Sequence, residues 1–189
     1  MKKLFPIFIT FILFSTNDTF AQIEKGNWLI GGNGNFNYRK TNDQFGGTKD
    51  FNLSISPDIG YFLKNQFSLG LRSGINSFVT KSNTIRSSNT SLGLGPFIRY
   101  YYFKPLKKIN LASELSYSYL VNINSSTINN QGNSQYAFMT GPVLFLNKNV
   151  GLELQFGYKS NFKSANSVNN SFWFSKIGFQ YHFKNDKKK

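Results

Sequence analysis

The chain has 189 residues, a net charge of +14 and no cysteine. Without cysteine it can form neither a disulfide bond nor a thiolate metal site, and catalysis by a thiol is excluded. The length suits one domain, and no linker or change of composition divides the sequence into two.

The N-terminus has the residue order of a secretory signal. Lys2 and Lys3 precede an apolar run over 4–14, and Ala21 ends the polar stretch that follows. An apolar run of about eleven residues is roughly half as long as a membrane-spanning helix requires. We therefore expect residues 1–21 to be a signal peptide, which directs the mature chain out of the cytoplasm.

Segments in which apolar and polar residues alternate follow the predicted signal. In the clearest of them, Phe51, Leu53 and Ile55 point to one face and Asn52 and Ser54 to the other. This period of two is that of a β-strand. The sequence predicts strands over 27–39, 51–61, 67–79, 90–102, 109–121, 136–146, 150–160 and 171–183.

The two faces of these strands distinguish a membrane barrel from a soluble one. The apolar face carries no charge, and the other face carries mainly Gly, Ser and Asn. A soluble barrel of the lipocalin kind would turn its apolar face inward and cover its outside with charges. Only helices and closed sheets satisfy the backbone in lipid, and no later segment is a long apolar helix. The predicted fold is therefore all-β: an eight-stranded antiparallel transmembrane up-and-down β-barrel over 22–183, with a basic periplasmic tail over 184–189.

Aromatic residues lie toward both ends of the apolar face, as in the girdles of membrane barrels. We expect one girdle at Tyr100, Tyr102, Tyr181 and Phe183, and the other at Tyr38, Tyr117, Tyr119, Tyr136, Tyr158 and Trp173. The connections alternate between short ones (63–66, 103–108, 147–149) and long polar ones (40–50, 80–89, 122–135, 161–170). Membrane barrels have short periplasmic turns and longer outer loops, so both termini should lie in the periplasm.

Charged residues of both signs fall on the polar face within the strands: Asp58, Arg72, Arg99, Glu114, Glu153 and Lys176. A charge in so narrow a lumen must be paired or hydrated. If the turn over 63–66 pairs Phe62 with Ser68, then Asp58 lies directly opposite Arg72. The mixed signs favour a structural network of salt bridges that fills the lumen. A narrow gate, opened when the pairs change partners, is the alternative.

The sequence shows no catalytic, cofactor-binding or metal-binding motif. The single histidine, His182, lies near the end of the last strand, where we expect a polar rim residue and not a catalytic one. The glycine-rich run over 31–34 lacks the lysine of a phosphate-binding loop. We therefore expect no enzyme activity, no cofactor and no metal site.

The signal, the alternating segments, the glycine-containing strand over 91–96 (SLGLGP) and the last strand over 179–183 (FQYHF) together resemble a known family. They are similar to the eight-stranded outer-membrane β-barrel domain proteins common in Bacteroidota, within the wider group of OmpA/OmpX-like barrels. The resemblance implies a Gram-negative cell envelope. It also implies that the terminal aromatic, Phe183, is presented to the barrel insertion machinery, although six residues follow it.

Three functions from different classes remain open. The favoured one is a non-enzymatic, monomeric outer-membrane protein with a structural or adhesin-like role, whose partners are membrane lipids and a surface ligand of the outer loops. The second is a pore or carrier for a small solute, although eight strands leave an interior filled by side chains. The third is an envelope assembly, secretion or lipid-modifying factor. Export, and basic residues gathered on the predicted periplasmic side, argue against a nucleic-acid partner.

Overall fold

Eight β-strands account for most of the chain. The computed structural model describes residues 23–41, 47–82, 86–105, 107–124, 127–163 and 170–184. The strands are β1 (Trp28–Thr41), β2 (Thr48–Lys64), β3 (Phe67–Lys81), β4 (Arg86–Tyr101), β5 (Ile109–Asn124), β6 (Thr127–Phe145), β7 (Val150–Lys163) and β8 (Asn170–Phe183). Every predicted strand is present. The expected signal peptide, and the expected tail after Lys184, lie outside the described residues. In the described part of the chain, no helix has the length and apolar character that crossing a membrane would require.

The strands form one closed barrel in which each is antiparallel to its neighbours in sequence and β8 returns to β1. The all-β, eight-stranded antiparallel fold is therefore confirmed. The final ladder is shorter than the others, because it runs only from Trp28 opposite Phe183 to Gly34 opposite Ile177. Beyond that point, residues 35–41 of β1 and residues 170–176 of β8 are not paired with each other. This part of the seam, toward the end opposite the termini, therefore has no β1–β8 ladder.

We call the end of the barrel that carries both termini the terminal end, and the opposite end the hairpin end. The strands extend further at the hairpin end than the sequence predicts. β5 continues to Asn124 and β6 begins at Thr127, so the long loop expected over 122–135 is wrong. The reason is that a ladder is made by backbone N–H and C=O groups, which Asn, Ser and Thr supply as well as Val does. Their turn propensity misled the sequence prediction.

The two faces of the strands are separated as the alternation predicts. Outward side chains are apolar and exposed: Leu94 is 61% exposed, Ile177 69% and Trp173 80%. Charged side chains on the inner face are buried, such as Asp58 with 5% exposure and Arg99 with 1%. The barrel is therefore apolar on the outside and polar within, the reverse of a soluble barrel.

One part of the lumen departs from this description. A layer of buried apolar side chains fills the terminal end, and it consists of Ile23, Leu29, Phe62, Phe97, Tyr101, Ala112, Val143 and Phe145. We call these residues the apolar layer. The prediction of a polar inner face along the whole barrel is wrong at this end. The sequence does indicate an apolar residue on the inner face here, because Phe62 falls on the same face of β2 as Asp58, four residues away.

The segment before β1 closes the same end. The N–H of Gln66 donates to the carbonyl oxygen of Ile23 at 2.8 Å, and the N–H of Gly26 donates to that of Phe62 at 2.9 Å. The backbone N–H of Lys25 donates to Asn65 Oδ1 at 2.9 Å. Gly26 has a φ of 91°, which a residue with a Cβ rarely adopts, and this turn directs Ile23 into the lumen. The terminal end is therefore closed by both side chains and backbone.

Three prolines interrupt ladders on alternate strands. Pro57, Pro96 and Pro142 each pair normally with the preceding strand but leave a gap in the ladder to the following one. Proline has no N–H to donate, so it is tolerated where the ladder can be broken on one side. At two of these gaps a glycine precedes the proline, at Gly95 and Gly141. A Cβ at either glycine would overlap a backbone carbonyl oxygen of the neighbouring strand, that of Tyr117 or Leu154 respectively.

This close approach predicts that Gly95→Ala lowers the free energy of unfolding by about 1–3 kcal/mol, because two strands must separate to accept one methyl group. Urea titration of the refolded barrel in detergent micelles measures the change. Gly34→Ala is the matched control, since the nearest atom to a Cβ there is the Ser54 carbonyl oxygen at 3.9 Å. Equal losses in the two variants would contradict the close approach at Gly95.

Candidate functional site

The lumen is the candidate site, because the barrel gathers its charged side chains there. Six strands each supply one of the charges predicted from sequence: Asp58 from β2, Arg72 from β3, Arg99 from β4, Glu114 from β5, Glu153 from β7 and Lys176 from β8. All six are buried. We call them the charge network. Asp58 is directly opposite Arg72, in the register that the sequence predicts, and Arg99 is opposite Glu114.

Arg72 joins two carboxylates on different strands. Its Nε and Nη2 donate to Asp58 Oδ2 at 3.2 and 2.6 Å. Its Nη2 also donates to Glu114 Oε2 at 3.0 Å, and its Nη1 donates to Glu114 Oε1. The planar guanidinium suits this role, because its donors are fixed in a fork that two carboxylates can share.

Arg99 completes the network on the other side of Glu114. Its Nε and Nη2 donate to Glu114 Oε2 at 2.9 and 2.5 Å, and its Nη1 lies 3.3 Å from Glu153 Oε2. Lys176 is held more loosely, with Nζ 3.9 Å from Glu114 Oε1. The three carboxylates and three cations sum to zero charge. A buried network is stable only when its charges are paired in this way.

A chain of polar side chains links the network to the apolar layer. Gln180 Nε2 donates to Glu153, and the Tyr101 hydroxyl donates to Gln180 Oε1 at 2.7 Å. His182 Nε2 lies 3.0 Å from the same oxygen. Neither Tyr101 nor Gln180 was among the predicted site residues, although both fall on the inner face of their strands.

The position expected for His182 is only partly right. The residue lies at the terminal end, but its side chain is fully buried and is not at an exposed rim. Its ring centroid lies 5.7 Å from that of Phe62, 6.1 Å from Tyr101 and 5.6 Å from Phe145. Alternate residues of a strand point to the same face, so a residue that alternates with the inner-facing ones points into the barrel even near the strand end. This is why the His182 side chain is buried and not at the rim.

Two glycines make room for the carboxylates. A Cβ at Gly31 would lie 2.7 Å from Asp58 Oδ1, and one at Gly178 would lie 2.7 Å from Glu153 Cγ. On the side of the apolar layer, the Phe97 ring is 5.0 Å from Arg72 Cζ and 5.6 Å from Arg99 Cζ. The aromatic ring therefore attracts both guanidinium groups as well as packing against them.

A polar cavity of about 330 Å³ lies between the charge network and the hairpin end. Its wall is rich in Asn and Ser, including Asn33, Asn52, Ser54, Asn76 and Ser116, and Arg72 and Lys176 reach it from the network. Lys159, which was not among the predicted site residues, is a further lumen cation and shares the inner face of β7 with Glu153. Its Nζ lies 4.7 Å from the Phe172 ring centroid and 4.9 Å from that of Phe174. It forms no ion pair with any described residue.

Of the residues expected to form aromatic girdles, Tyr100, Tyr102, Tyr181 and Phe183 lie at the terminal end, and Tyr38 and Trp173 lie toward the hairpin end. Tyr117, Tyr119, Tyr136 and Tyr158 lie nearer the middle of their strands, because the strands extend further at the hairpin end than the sequence predicts. Tyr38, Tyr100, Tyr102, Tyr119, Tyr136, Tyr158, Trp173 and Tyr181 are exposed, and Tyr117 and Phe183 are half-buried. Several contact one another through their rings: Tyr100 with Tyr102, Tyr117 with Tyr136, Tyr158 with Trp173, and Tyr181 with Phe183. In the described part of the chain, no three His, Asp or Glu side chains are grouped so that they could hold a metal ion.

Comparisons with known proteins support the fold. No protein-family model and no curated protein matches the sequence. The chain is similar in structure to the outer membrane protein OprG from Pseudomonas aeruginosa, with 16% identity, 87% of this chain and 99% of that chain covered, and a TM-score of 0.52. It also matches the N-terminal β-barrel domain of Pseudomonas aeruginosa OprF, with 17% identity, 84% and 98% covered, and a TM-score of 0.43. The chain therefore shares its barrel fold with OprG, an outer-membrane protein.

The network geometry predicts that Arg72→Ala lowers the free energy of unfolding by about 3–5 kcal/mol, because Asp58 and Glu114 both lose a buried partner. Urea unfolding of the refolded protein in micelles measures this. Lys159→Ala is the control: it removes a half-buried lumen cation that has no carboxylate partner, and we expect a loss of less than about 1 kcal/mol. The exchange Asp58→Arg with Arg72→Asp should restore little, since the new aspartate would face Glu114. Equal losses in Arg72→Ala and Lys159→Ala would contradict a network role for Arg72.

Proposed function

We propose that the protein is a monomeric, non-enzymatic barrel of the outer membrane, with its outward face in lipid and both termini in the periplasm. The observation that carries this proposal is the exposed outward face. Leu94, Phe138, Phe156 and Ile177 each expose more than half of their surface near the middle of their strands. A soluble monomer rarely exposes a continuous apolar band of this kind to water.

The distribution of charge supports the same reading. On the outward face of the described strands, charged side chains occur at the strand tips: Lys40, Lys49, Lys81 and Arg86 at the hairpin end, and Lys64 at the terminal end, where a bulge in β2 sets it opposite the outward Phe67. A charge in the middle of a lipid-facing strand is costly, so a band without charges between polar rims suits a bilayer. The short connections at the terminal end suit the periplasmic side. The family resemblance agrees with such a protein from Bacteroidota.

A role in surface interaction fits the closed terminal end. The charge network and the apolar layer fill the lumen there, so a partner of the lumen has access to it from the hairpin end and its cavity. The strand extensions at that end carry Asn, Ser and Thr, whose side chains donate and accept hydrogen bonds. We infer an adhesin-like or structural role, carried by these extended hairpins and not by long loops.

A solute carrier is the second candidate function. The cavity of about 330 Å³ has hydrogen-bonding walls and the cation of Lys159, and it lies toward the end where β1 and β8 are not paired. A small anionic solute would find both a countercharge and donors there. Passage through the whole lumen would require the charge network to separate, which disfavours a continuous pore.

Insertion is tested by substitution on each face. Leu94→Arg places a charge on the proposed lipid face near the middle of β4, and should cost about 2–4 kcal/mol of folding stability in lipid vesicles. Ser54→Arg is the control, because Ser54 lines the polar cavity, into which a long side chain can extend. Folding is read from the shift between unboiled and boiled samples on a detergent gel. A mature protein that is recovered soluble and monomeric without detergent would contradict insertion.

Conductance separates the two candidate functions. If the lumen is closed, the wild-type protein in planar bilayers should show little or no current, since no water-filled path crosses the charge network and the apolar layer. The double variant Phe62→Ala with Phe145→Ala, which empties part of that layer, should raise the frequency of brief openings. Large, steady, ion-selective currents from the wild type would instead favour the pore.

A further inference from the structure

Four cationic residues form a row on the outward face of the hairpin end. Lys40 pairs with Lys49 across β1 and β2, Lys49 with Lys81 across β2 and β3, and Lys81 with Arg86 across β3 and β4. All four side chains are exposed. Because neighbouring strands lie about 4.8 Å apart, this cation row spans roughly 14 Å.

The charge of the cation row is not balanced by the described protein. None of its members forms an ion pair with a described residue. Asp50 is adjacent in sequence to Lys49, but it lies on the other face of β2 and accepts a hydrogen bond from Thr80 Oγ1 at 2.9 Å. Like charges placed directly opposite one another destabilise a sheet. The arrangement therefore carries a cost unless an anion occupies the row.

The cation row is confined to one side of the barrel. At the hairpin end of β5, β7 and β8 the outward positions are Val121, Ile123, Ser160, Phe162 and Ser171, none of which is charged. A general need for a polar rim would distribute cations around the whole circumference. The concentration on four adjacent strands points to a localised site.

Apolar side chains lie directly next to the cations. The outward residues that come next toward the terminal end are Tyr38, Phe51 and Val79, which pair across β1, β2 and β3. Together with Lys49, Lys81 and Arg86 they line a surface groove of about 330 Å³. The groove is thus cationic at its outer edge and apolar toward the middle of the barrel.

We propose that the cation row binds the phosphate groups of a lipid in the outer leaflet, with the lipid chains packed against Tyr38, Phe51 and Val79. The lysines act as compact charges, and Arg86 can hold a phosphate through two donors. This inference rests on the proposed insertion and orientation, which place the hairpin end at the outer surface. The apolar side of the groove selects a lipid over a soluble phosphate or an acidic polysaccharide.

The test compares two double variants that remove the same charge from opposite ends. Lys49→Gln with Lys81→Gln neutralises half of the cation row, and Lys64→Gln with Lys104→Gln removes two exposed lysines at the terminal end. Each full-length mature protein is placed in phosphatidylcholine nanodiscs, and binding of fluorescent bisphosphorylated lipid A is titrated. We expect the first variant to bind about tenfold or more weakly than the wild type and the second to bind equally well. Excess inorganic phosphate should displace the lipid only in part.

The outcomes separate this inference from the proposed function. Protein that inserts, as shown by the gel shift, but binds lipid A no better than phosphatidylcholine overturns the lipid site alone. Equal weakening by both double variants also overturns it, because binding would then follow net charge. Full displacement by inorganic phosphate overturns the contribution of the lipid chains. A chain that fails to insert overturns the proposed function, and the lipid site with it.

Discussion

The structure depends on one electrostatic constraint: charged side chains from six strands share a lumen too narrow to hydrate them separately. The solution is neutrality, with three carboxylates and three cations in mutual contact. Other features follow from it. Gly31 and Gly178 leave space for the carboxylates, Phe97 packs against the guanidinium groups, and Gln180 accepts a hydrogen bond from Tyr101. Each of these positions accepts few other residues while the network remains.

The charge network also divides the barrel into two regions. Toward the terminal end the lumen is apolar, and the segment from Ile23 to Asn27 closes it. Toward the hairpin end the lumen is polar and contains a cavity. A solute would therefore reach the lumen from the hairpin end. The cation row lies at that same end but on the outside of the wall, so lumen and outer surface can have separate ligands.

Much of the fold could be predicted from the sequence, because a period of two with a charge-free face has few structural solutions. The register of Asp58 against Arg72 could also be predicted, since a short turn fixes it. The contact of Arg72 with Glu114 could not, because β3 and β5 are not neighbours and meet only through closure of the barrel. Lys159 and the apolar layer were missed although strand parity indicated both. In each case the prediction followed the overall polarity of a face and not the position of the individual residue in the alternation of its strand.

The hairpin end shows where composition is a poor guide. Asn, Ser and Thr predict loops because their side chains compete for backbone hydrogen bonds in isolated segments. In a barrel the neighbouring strand already offers a paired backbone, and the ladder extends into these residues. The cation row became recognisable only with these extended ladders, because its members fall at or beyond the predicted strand ends. The register of β1–β4 places the four basic residues side by side, so that they form one surface.

If the barrel spans the outer membrane, its outward face must meet lipid, and the two tryptophans of the chain test this directly. Trp28 lies at the terminal end and Trp173 toward the hairpin end, both on the outward face. The measurement is quenching of their fluorescence in vesicles made from lipids brominated at different chain depths. We predict strong quenching of both by bromines near the headgroups, weaker quenching by bromines at the bilayer centre, and little quenching by aqueous iodide. Full quenching by iodide with no effect of any brominated lipid would contradict a lipid-facing surface.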